Sequence, residues 1–214
     1  PLYIEAGATL IIAGPLSPDG SYEGRREPRP LQTLRLSQDK GSFLLDSGAL
    51  FITDTEIAAW NEEKSRYSEY EAATKFRPFI ALWSGSRSYF SRSKFMHLGY
   101  HASKSYGISY STTKNFVKLN PQIPPPKGWI VQCWIEGLYY GFYSYEAEHV
   151  ALVNNIYARN IVYAIDPHDR SRHLIIAGNE TYGTLKKHGI IGSREVNDSW
   201  IFDNVSYDNH GSGF

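Results

Sequence analysis

Eight consecutive residues, Asp166-Pro167-His168-Asp169-Arg170-Ser171-Arg172-His173, form the densest ionisable cluster in the chain. An imidazole titrates near working pH and is the usual base or acid in such a group. A carboxylate beside it, Asp166 or Asp169, would orient the ring and hold its tautomer. Taken alone, the cluster also reads as a surface turn. Asp-Pro starts turns, and Asp169 next to Arg170 or Arg172 makes an exposed ion pair worth little. The choice depends on what other segments bring to it.

Those segments repeat. Asn154-Asn155-Ile156-Tyr157, Asn179-Glu180-Thr181-Tyr182 and Asn204-Val205-Ser206-Tyr207 each read Asn-x-x-Tyr at a spacing of 25. Four and two positions before each Asn stand Val150 and Leu152, Ile175 and Ala177, and Trp200 and Phe202. This alternation of period two predicts strands with those residues turned inward. A second set, Gly141-Phe142-Tyr143, Ala164-Ile165-Asp166, Gly189-Ile190-Ile191 and Gly213-Phe214, recurs at spacings of 23, 25 and 24. Short β-runs at this period predict an all-β parallel solenoid. Antiparallel hairpins have no reason to keep such a register. Asn suits a left-handed corner, and stacked Asn side chains can hydrogen-bond from coil to coil.

Further strands are expected at Leu10–Ile12, Leu34–Leu36, Phe43–Leu45, Leu50–Ile52, Phe79–Leu82 and Tyr106–Ile108. Two inserted loops interrupt them. Residues 60–76 are charged and polar and are expected as a short helix or a loop. Residues 117–128 hold Pro121 and Pro124-Pro125-Pro126, which exclude a central strand. Residues 1–214 are read as one domain. The chain stops at Gly213-Phe214, on the opening residues of a coil, and is expected to be a fragment truncated at its C-terminal end, because an open coil exposes strand edges.

Successive coils lie about 4.8 Å apart, so residues one period apart become neighbours. Asp169 then sits beside Arg194, and His168 beside Ser193 with Arg194 diagonal to it. Tyr145 and Glu146 fall beneath His168 and Asp169. Tyr163 stacks on His188, next to Lys186 and Lys187. The resulting face suits a carboxylated sugar chain. The C5 proton of a uronate is acidic only if the adjacent carboxylate is neutralised, which a bidentate Arg can do. A neutral His would take that proton, and a Tyr or a water on the opposite face would return one. His168, Arg194 and Asp166 are the candidates for chemistry, and Asp169, Arg170, Lys187, His188 and Tyr145 for substrate binding.

Competing chemistries are weaker. No Gly-x-Ser-x-Gly elbow exists, so Ser193 is read as filler. Asp166 with Asp169 or Glu146 offers paired carboxylates for glycoside hydrolysis, a pattern of low specificity. A metal held by Asp166, His168 and Asp169 is disfavoured by Pro167 and the adjacent arginines, and neither metal nor cofactor is expected. His97, His101, His149 and His210 read as surface or corner residues, while Lys104-Ser105-Tyr106-Gly107 is a candidate border of the groove. Lys plus Arg equals Asp plus Glu at 22 each, so no global field selects nucleic acid or an anionic membrane. A polyanion must be met locally. Cys133 is the only cysteine, which excludes an intrachain disulfide. No apolar run approaches the roughly 20 residues of a membrane span. The chain opens on Pro1, so a targeting segment can precede it.

Tyr163-Ala164-Ile165-Asp166-Pro167-His168-Asp169-Arg170-Ser171, Lys186-Lys187-His188-Gly189, Ser193-Arg194-Glu195-Val196-Asn197-Asp198-Ser199 and Ser206-Tyr207-Asp208-Asn209 resemble the poly(β-D-mannuronate) C5-epimerase family of bacterial alginate biosynthesis. The opening ten residues, Leu36–Gly41 and Tyr140–Glu148 extend the likeness over nearly the whole chain. The resemblance implies a right-handed parallel β-helix that converts β-D-mannuronate to α-L-guluronate within the polymer. It implies that His168 takes the C5 proton and Arg194 neutralises the carboxylate. Asp166 and Asp169 belong to the same motif, with a water or Tyr163 supplying the proton, and no calcium is required. It further implies a periplasmic location, polymannuronate or alginate as partner, and alginate export-complex proteins as possible associates. Two rivals share the chemistry or the fold: a uronate lyase working by β-elimination, and a non-catalytic carbohydrate-binding solenoid.

Overall fold

A computed structural model describes residues 1–15, 28, 30, 32–112 and 114–214, leaving aside the side chains of 114, 115 and 117. Among these residues the regular structure is nearly all strand, joined by turns and loops, with one six-residue helix at Lys114–Leu119. Three parallel sheets run the length of the stack. The first contains Leu2–Ile4, Leu44–Asp46, Ile80–Trp83, Gly107–Ser111, Tyr140–Tyr145 and Tyr163–His168. The second contains Thr9–Ala13, Ala49–Thr53, Arg87–Ser91, Lys127–Val131, Val150–Val153, Ile175–Ala177 and Trp200–Phe202. The third runs from Gln32–Ser37 through Thr55–Asn61, Lys94–Met96, Trp134–Glu136, Ile156–Ala158 and Glu180–Tyr182 to Val205–Tyr207. Each coil visits the sheets in that order, which is the parallel β-helix that the repeat predicts.

The core is a set of inward columns. Leu44, Ile80 and Ile108 stack in register and are fully buried. Phe142, Ile165 and Ile190 continue that sheet's inner face. In the third sheet the column runs Ile57, Phe95, Ile135, Tyr157 and then turns polar at Thr181 and Ser206, whose hydroxyls bond at 2.7 Å. Each fully buried aliphatic or aromatic side chain contributes roughly 1.5–3 kcal/mol relative to exposure. Arg77 is buried too. Its guanidinium donates to the carbonyls of Leu98, Gly99 and Gly137, and burial pulls its pKa down to about 10. It thereby ties the segment before the Ile80–Trp83 strand to the corners of two coils.

An Asn ladder sets the coil-to-coil register. Asn155 Nδ2 donates to Asn179 Oδ1 at 3.0 Å, and Asn179 Nδ2 donates to Asn204 Oδ1 at 2.9 Å. The same amides donate to the carbonyls of Ile130 and Leu152. The ladder residue of the first repeat is therefore Asn155, one position beyond the Asn expected from the 25-residue spacing. Its neighbour Asn154 occupies the left-handed corner (φ 54°), matched by Gly178 (φ 64°) and Asp203 (φ 54°). Two roles assigned to one Asn are split between adjacent positions. The shift carries through the strands. Leu152 aligns with Ile176 and Ile201, so Ile176, not Ile175, fills the core. Tyr157 aligns with Thr181 and points inward, leaving the tyrosine stack to Tyr182 and Tyr207 at 5.3 Å.

Both inserted segments add detail to the expectation. Of the two forms expected for 60–76, a short helix or a loop, the chain takes the loop, closed at its start by a short antiparallel pairing of Arg66–Tyr67 with Trp60–Asn61. In 117–128 the prolines do precede the strand. Lys127 and Gly128, however, already belong to Lys127–Val131, a central strand between Arg87–Ser91 and Val150–Val153. Strand pairing resumes at the first residue after Pro126 that has an N–H to give, and Lys127 donates it to the Ser86 carbonyl. Among the described residues no helix is long and apolar enough to cross a membrane.

Asn179 is buried and serves both neighbouring coils, so Asn179→Ala leaves several buried groups unmet. A loss of about 2–3 kcal/mol is expected in urea denaturation, against little change for Glu63→Ala on an exposed turn. Equal effects at the two positions would remove the ladder as the source of register.

Candidate active site

The Tyr163–His168 strand lies at the edge of the first sheet's ladder, with Tyr143 opposite Asp166 and Tyr145 opposite His168. Ile165 points inward, so Asp166 and His168 face outward on the same side. Past His168 the chain turns through two left-handed residues, Asp169 (φ 38°) and Arg170 (φ 58°). One coil on, Arg194 (φ 54°) and Glu195 (φ 63°) repeat the turn. The two turns are clamped together. Asp169 N–H donates to the Ser193 carbonyl at 3.1 Å, and Arg170 N–H to the Arg194 carbonyl at 2.9 Å.

His168 Nδ1 hydrogen-bonds the Asp169 carboxylate. With a carboxylate accepting there, Nδ1 carries the proton and Nε2 presents a lone pair to the groove. Of the two carboxylates left open by the sequence, the one touching the ring is Asp169. Arg194 Nη1 stands 3.8 Å from Asp169 Oδ1, and its side chain is 74% exposed. That guanidinium is loosely held and open to a second anion. Arg170 differs. Its Nε donates to Glu146 Oε1 at 2.8 Å, its Nη2 reaches the Tyr145 hydroxyl at 3.4 Å, and it is 34% exposed. Arg170 braces the rim more than it offers itself to a ligand.

Asp166 is 2% exposed, and Oδ1 is buried without a hydrogen-bond partner. Burial pushes its carboxyl up to about 7; a hydrogen bond from Ser193 lowers it, the charge of Asp169 raises it, and Lys187 lowers it again. Ser193, read as filler from sequence, is thus a partner of the buried acid. Around these groups stands a wall of tyrosines. The Tyr143 ring lies 5.7 Å from that of His168 and packs edge-on against Tyr106 at 4.8 Å. Burial raises the phenols of Tyr106 and Tyr143, with the charge of Asp166 adding to both, so each keeps its proton at neutral pH.

Tyr163 sits at the far end of the strand, five residues from His168, or roughly 16 Å of extended backbone. Its ring stacks on His188 at 5.9 Å and lies under Lys187 Nζ at 5.4 Å. His188 Nδ1 accepts from the Ser212 N–H, which leaves Nε2–H as a donor. Lys186 Nζ donates to the Tyr70 hydroxyl at 2.6 Å, and Tyr70 stacks on Tyr139 at 6.2 Å. The structure therefore brings His168, Asp169, Asp166, Arg194, Arg170 and Tyr145 to one end of the face, and Tyr163, His188 and Lys187 to the other. Sequence reasoning missed Tyr143 as a groove residue. Its signal was the outward alternation of Tyr143 and Tyr145 on one strand. The Lys104 border is present: its ammonium lies over the Tyr145 ring at 2.6 Å, and burial lowers its pKa to about 8. His101 also joins the wall, stacked on Tyr106 at 5.9 Å. His149 and His173 stack on each other at 4.9 Å, away from this face. Among the described residues no group of three or more His, Cys, Asp or Glu is placed to hold a metal ion.

No family model matches the chain. The mannuronan C5-epimerase of Pseudomonas aeruginosa is 45% identical over 209 residues, covering 98% of this chain and 36% of that protein. The mannuronan C5-epimerase AlgG of Azotobacter vinelandii is 43% identical over 213 residues, covering 100% and 38%. A crystal structure of the periplasmic alginate epimerase AlgG superposes with a TM-score of 0.82 at 46% identity, over 85% of this chain and 43% of that one. This chain is homologous to the mannuronan C5-epimerases. It spans little more than a third of the length of the curated epimerases it matches. The β-helix coils carrying His168 and Arg194 fall within the stretch shared with the epimerases.

The buried acid carries a testable signature. Between about pH 4 and 7 the folded chain retains a proton on Asp166 that the unfolded chain has released, so stability falls as pH rises through that window. Buried Asp46, raised to about 6, adds a slope of the same sign. Asp166→Asn removes one share. In urea unfolding at pH 4, 6 and 8 the variant should gain on the parent as pH rises, by a few kcal/mol at pH 8. Parallel curves for the two proteins would place the Asp166 carboxyl in water.

Proposed function

We propose that the protein carrying this chain epimerises β-D-mannuronate to α-L-guluronate at C5 within polymannuronate. One observation carries the reading: an imidazole oriented by Asp169 stands one coil from an exposed guanidinium. His168 Nε2 removes the C5 proton while Arg194 binds the uronate carboxylate, where the enolate charge develops. Asp169 holds the ring and shares the rim with Arg194, and Asp166, raised to about 7 by burial, brings less negative charge to the site than a solvated aspartate would. The proton returns on the opposite face from a water or a phenol. Tyr143 and Tyr145 are the phenols near His168. Tyr163, His188 and Lys187, at the far end, would hold a neighbouring sugar. The tyrosine wall offers apolar ring faces to the pyranose rings.

Residues 1–214 are read as a β-helix domain, with the insertions near 60–76 and 117–128 bordering the groove. The homologous proteins support mannuronan as the polymer and the periplasm as the compartment. Association with alginate export-complex proteins is a further expectation of the same reading. No step calls for calcium or a cofactor.

The test is solvent deuterium at C5 of polymannuronate in heavy water, followed by proton NMR. His168→Ala should lower incorporation about 10²–10⁴-fold. Arg194→Ala should lower it about 10²-fold or more, and Arg194→Lys should recover only part, since a point charge cannot fork onto a carboxylate. Equal incorporation by His168→Ala and parent would remove His168 from the reaction. Unsaturated, ultraviolet-absorbing ends without guluronate would identify a lyase.

A further inference from the structure

The outer face of the second sheet carries an organised column that the proposed chemistry does not use. Phe51, Tyr89 and Trp129 stand in register on successive coils, followed by Ala151, Ile175 and Trp200. The rings touch: Phe51 to Tyr89 at 4.9 Å and Tyr89 to Trp129 at 4.4 Å. Trp129 is 47% exposed, and small Ala151 on the next coil leaves one side of its indole open. Aromatic surface of this size in water is costly unless something covers it.

A second column runs beside the first, two residues earlier on each strand, or roughly 7 Å away. Arg87 and Lys127 pair in register, and the line continues through the stacked imidazoles of His149 and His173. Among the described residues neither Arg87 nor Lys127 has a carboxylate partner. None of the seven strands of this sheet contains an Asp or Glu. The third sheet, by contrast, presents Glu56, Glu136 and Glu180 on its strands. Near Ala151 and Ile175 the surface dips into a depression of about 740 Å³, walled by His149, His173 and Trp200, with Asp198 on its far rim beyond the strands.

Aromatic platforms beside cations without a carboxylate partner, on strands that carry no acid, fit one ligand chemistry: pyranose rings that bear carboxylates. We propose that the outer face of the second sheet is a second binding track for an anionic polysaccharide strand, with rings on Tyr89 and Trp129 and carboxylates on Arg87 and Lys127. The proposal rests on the reading of the first sheet's groove as a polyuronate site, and gives the same polymer a separate hold on another face. A single-stranded nucleic acid shares the need for stacking and cations. With a formal net charge of zero the chain meets either polyanion only through local groups, and the oligothymidylate arm below separates the two. Arg87 and Lys127, one coil apart, offer paired positions for the carboxylates of a polyuronate.

The experiment compares Arg87→Gln/Lys127→Gln and Trp129→Ala with the parent, by titration with long polymannuronate, with short oligomannuronates, with neutral dextran and with oligothymidylate. Both variants should bind long polymannuronate about tenfold more weakly, the loss of one or two exposed contacts. Short-oligomer affinity and C5 deuterium exchange should be unchanged in the double variant, whose side chains lie on the surface and leave the core intact. Undiminished affinity for the long polymer in both variants would overturn the proposal, as would oligothymidylate binding as tightly as polymannuronate. If the parent shows no C5 exchange, the epimerase reading fails while the affinity comparison still decides the track.

Discussion

In-register stacking of coils about 4.8 Å apart is the constraint on which every other feature depends. From Trp134 onward it turns separations of 22–25 residues along the chain into direct contacts, and in the earlier coils separations of up to 42. The Asn155–Asn179–Asn204 ladder enforces it from inside, because Asn155 and Asn179 each bond the coil before and the coil after. The inward columns of Ile, Leu and Phe favour stacking without choosing a register, since neighbouring apolar side chains interchange at small cost. Buried amides do choose. A slip of one residue would leave their donors and acceptors unmet at once.

The same stacking builds the groove's electrostatics. His168 and Asp169 come from one coil and Arg194 from the next, and the guanidinium meets that pair only through stacking. Because backbone bonds join Asp169 to Ser193 and Arg170 to Arg194, the imidazole, carboxylate and guanidinium are held at rim positions that differ little in height. Burial then separates the two acids. Asp169 meets His168 and Arg194 and serves as their anchor. Asp166 sits under the tyrosines with Ser193 and is pushed toward neutrality. Two arginines are likewise separated by their surroundings, Arg170 by its bond to Glu146 and Arg194 by the lack of a comparable one.

Much of this was legible in the sequence. The coil period, the strands, and the meeting of Asp169 with Arg194 and of Tyr163 with His188 follow from spacing alone. What spacing cannot resolve is a one-residue ambiguity. Asn154 and Asn155 are adjacent, and only the hydrogen bonds show that one takes the corner and the other the ladder. The inward assignment of Ile175 failed for that reason. Partners from distant insertions were equally hidden: Tyr70 reaches Lys186 across 116 residues, and Lys104 reaches Tyr145 from a loop. Such contacts depend on how an insertion folds back, which periodicity does not encode.

The left-handed backbone at Asp169, Arg170, Arg194 and Glu195 has an evolutionary consequence. Non-glycine residues adopt that conformation at a cost of roughly 1 kcal/mol each, and glycine would relax it. At Arg170 and Arg194 a drift toward glycine would firm the turn while erasing the guanidinium. Selection for a sturdier fold and selection for a charged rim thus pull in opposite directions at the same two positions. The rim is a place where stability has been held below its attainable value.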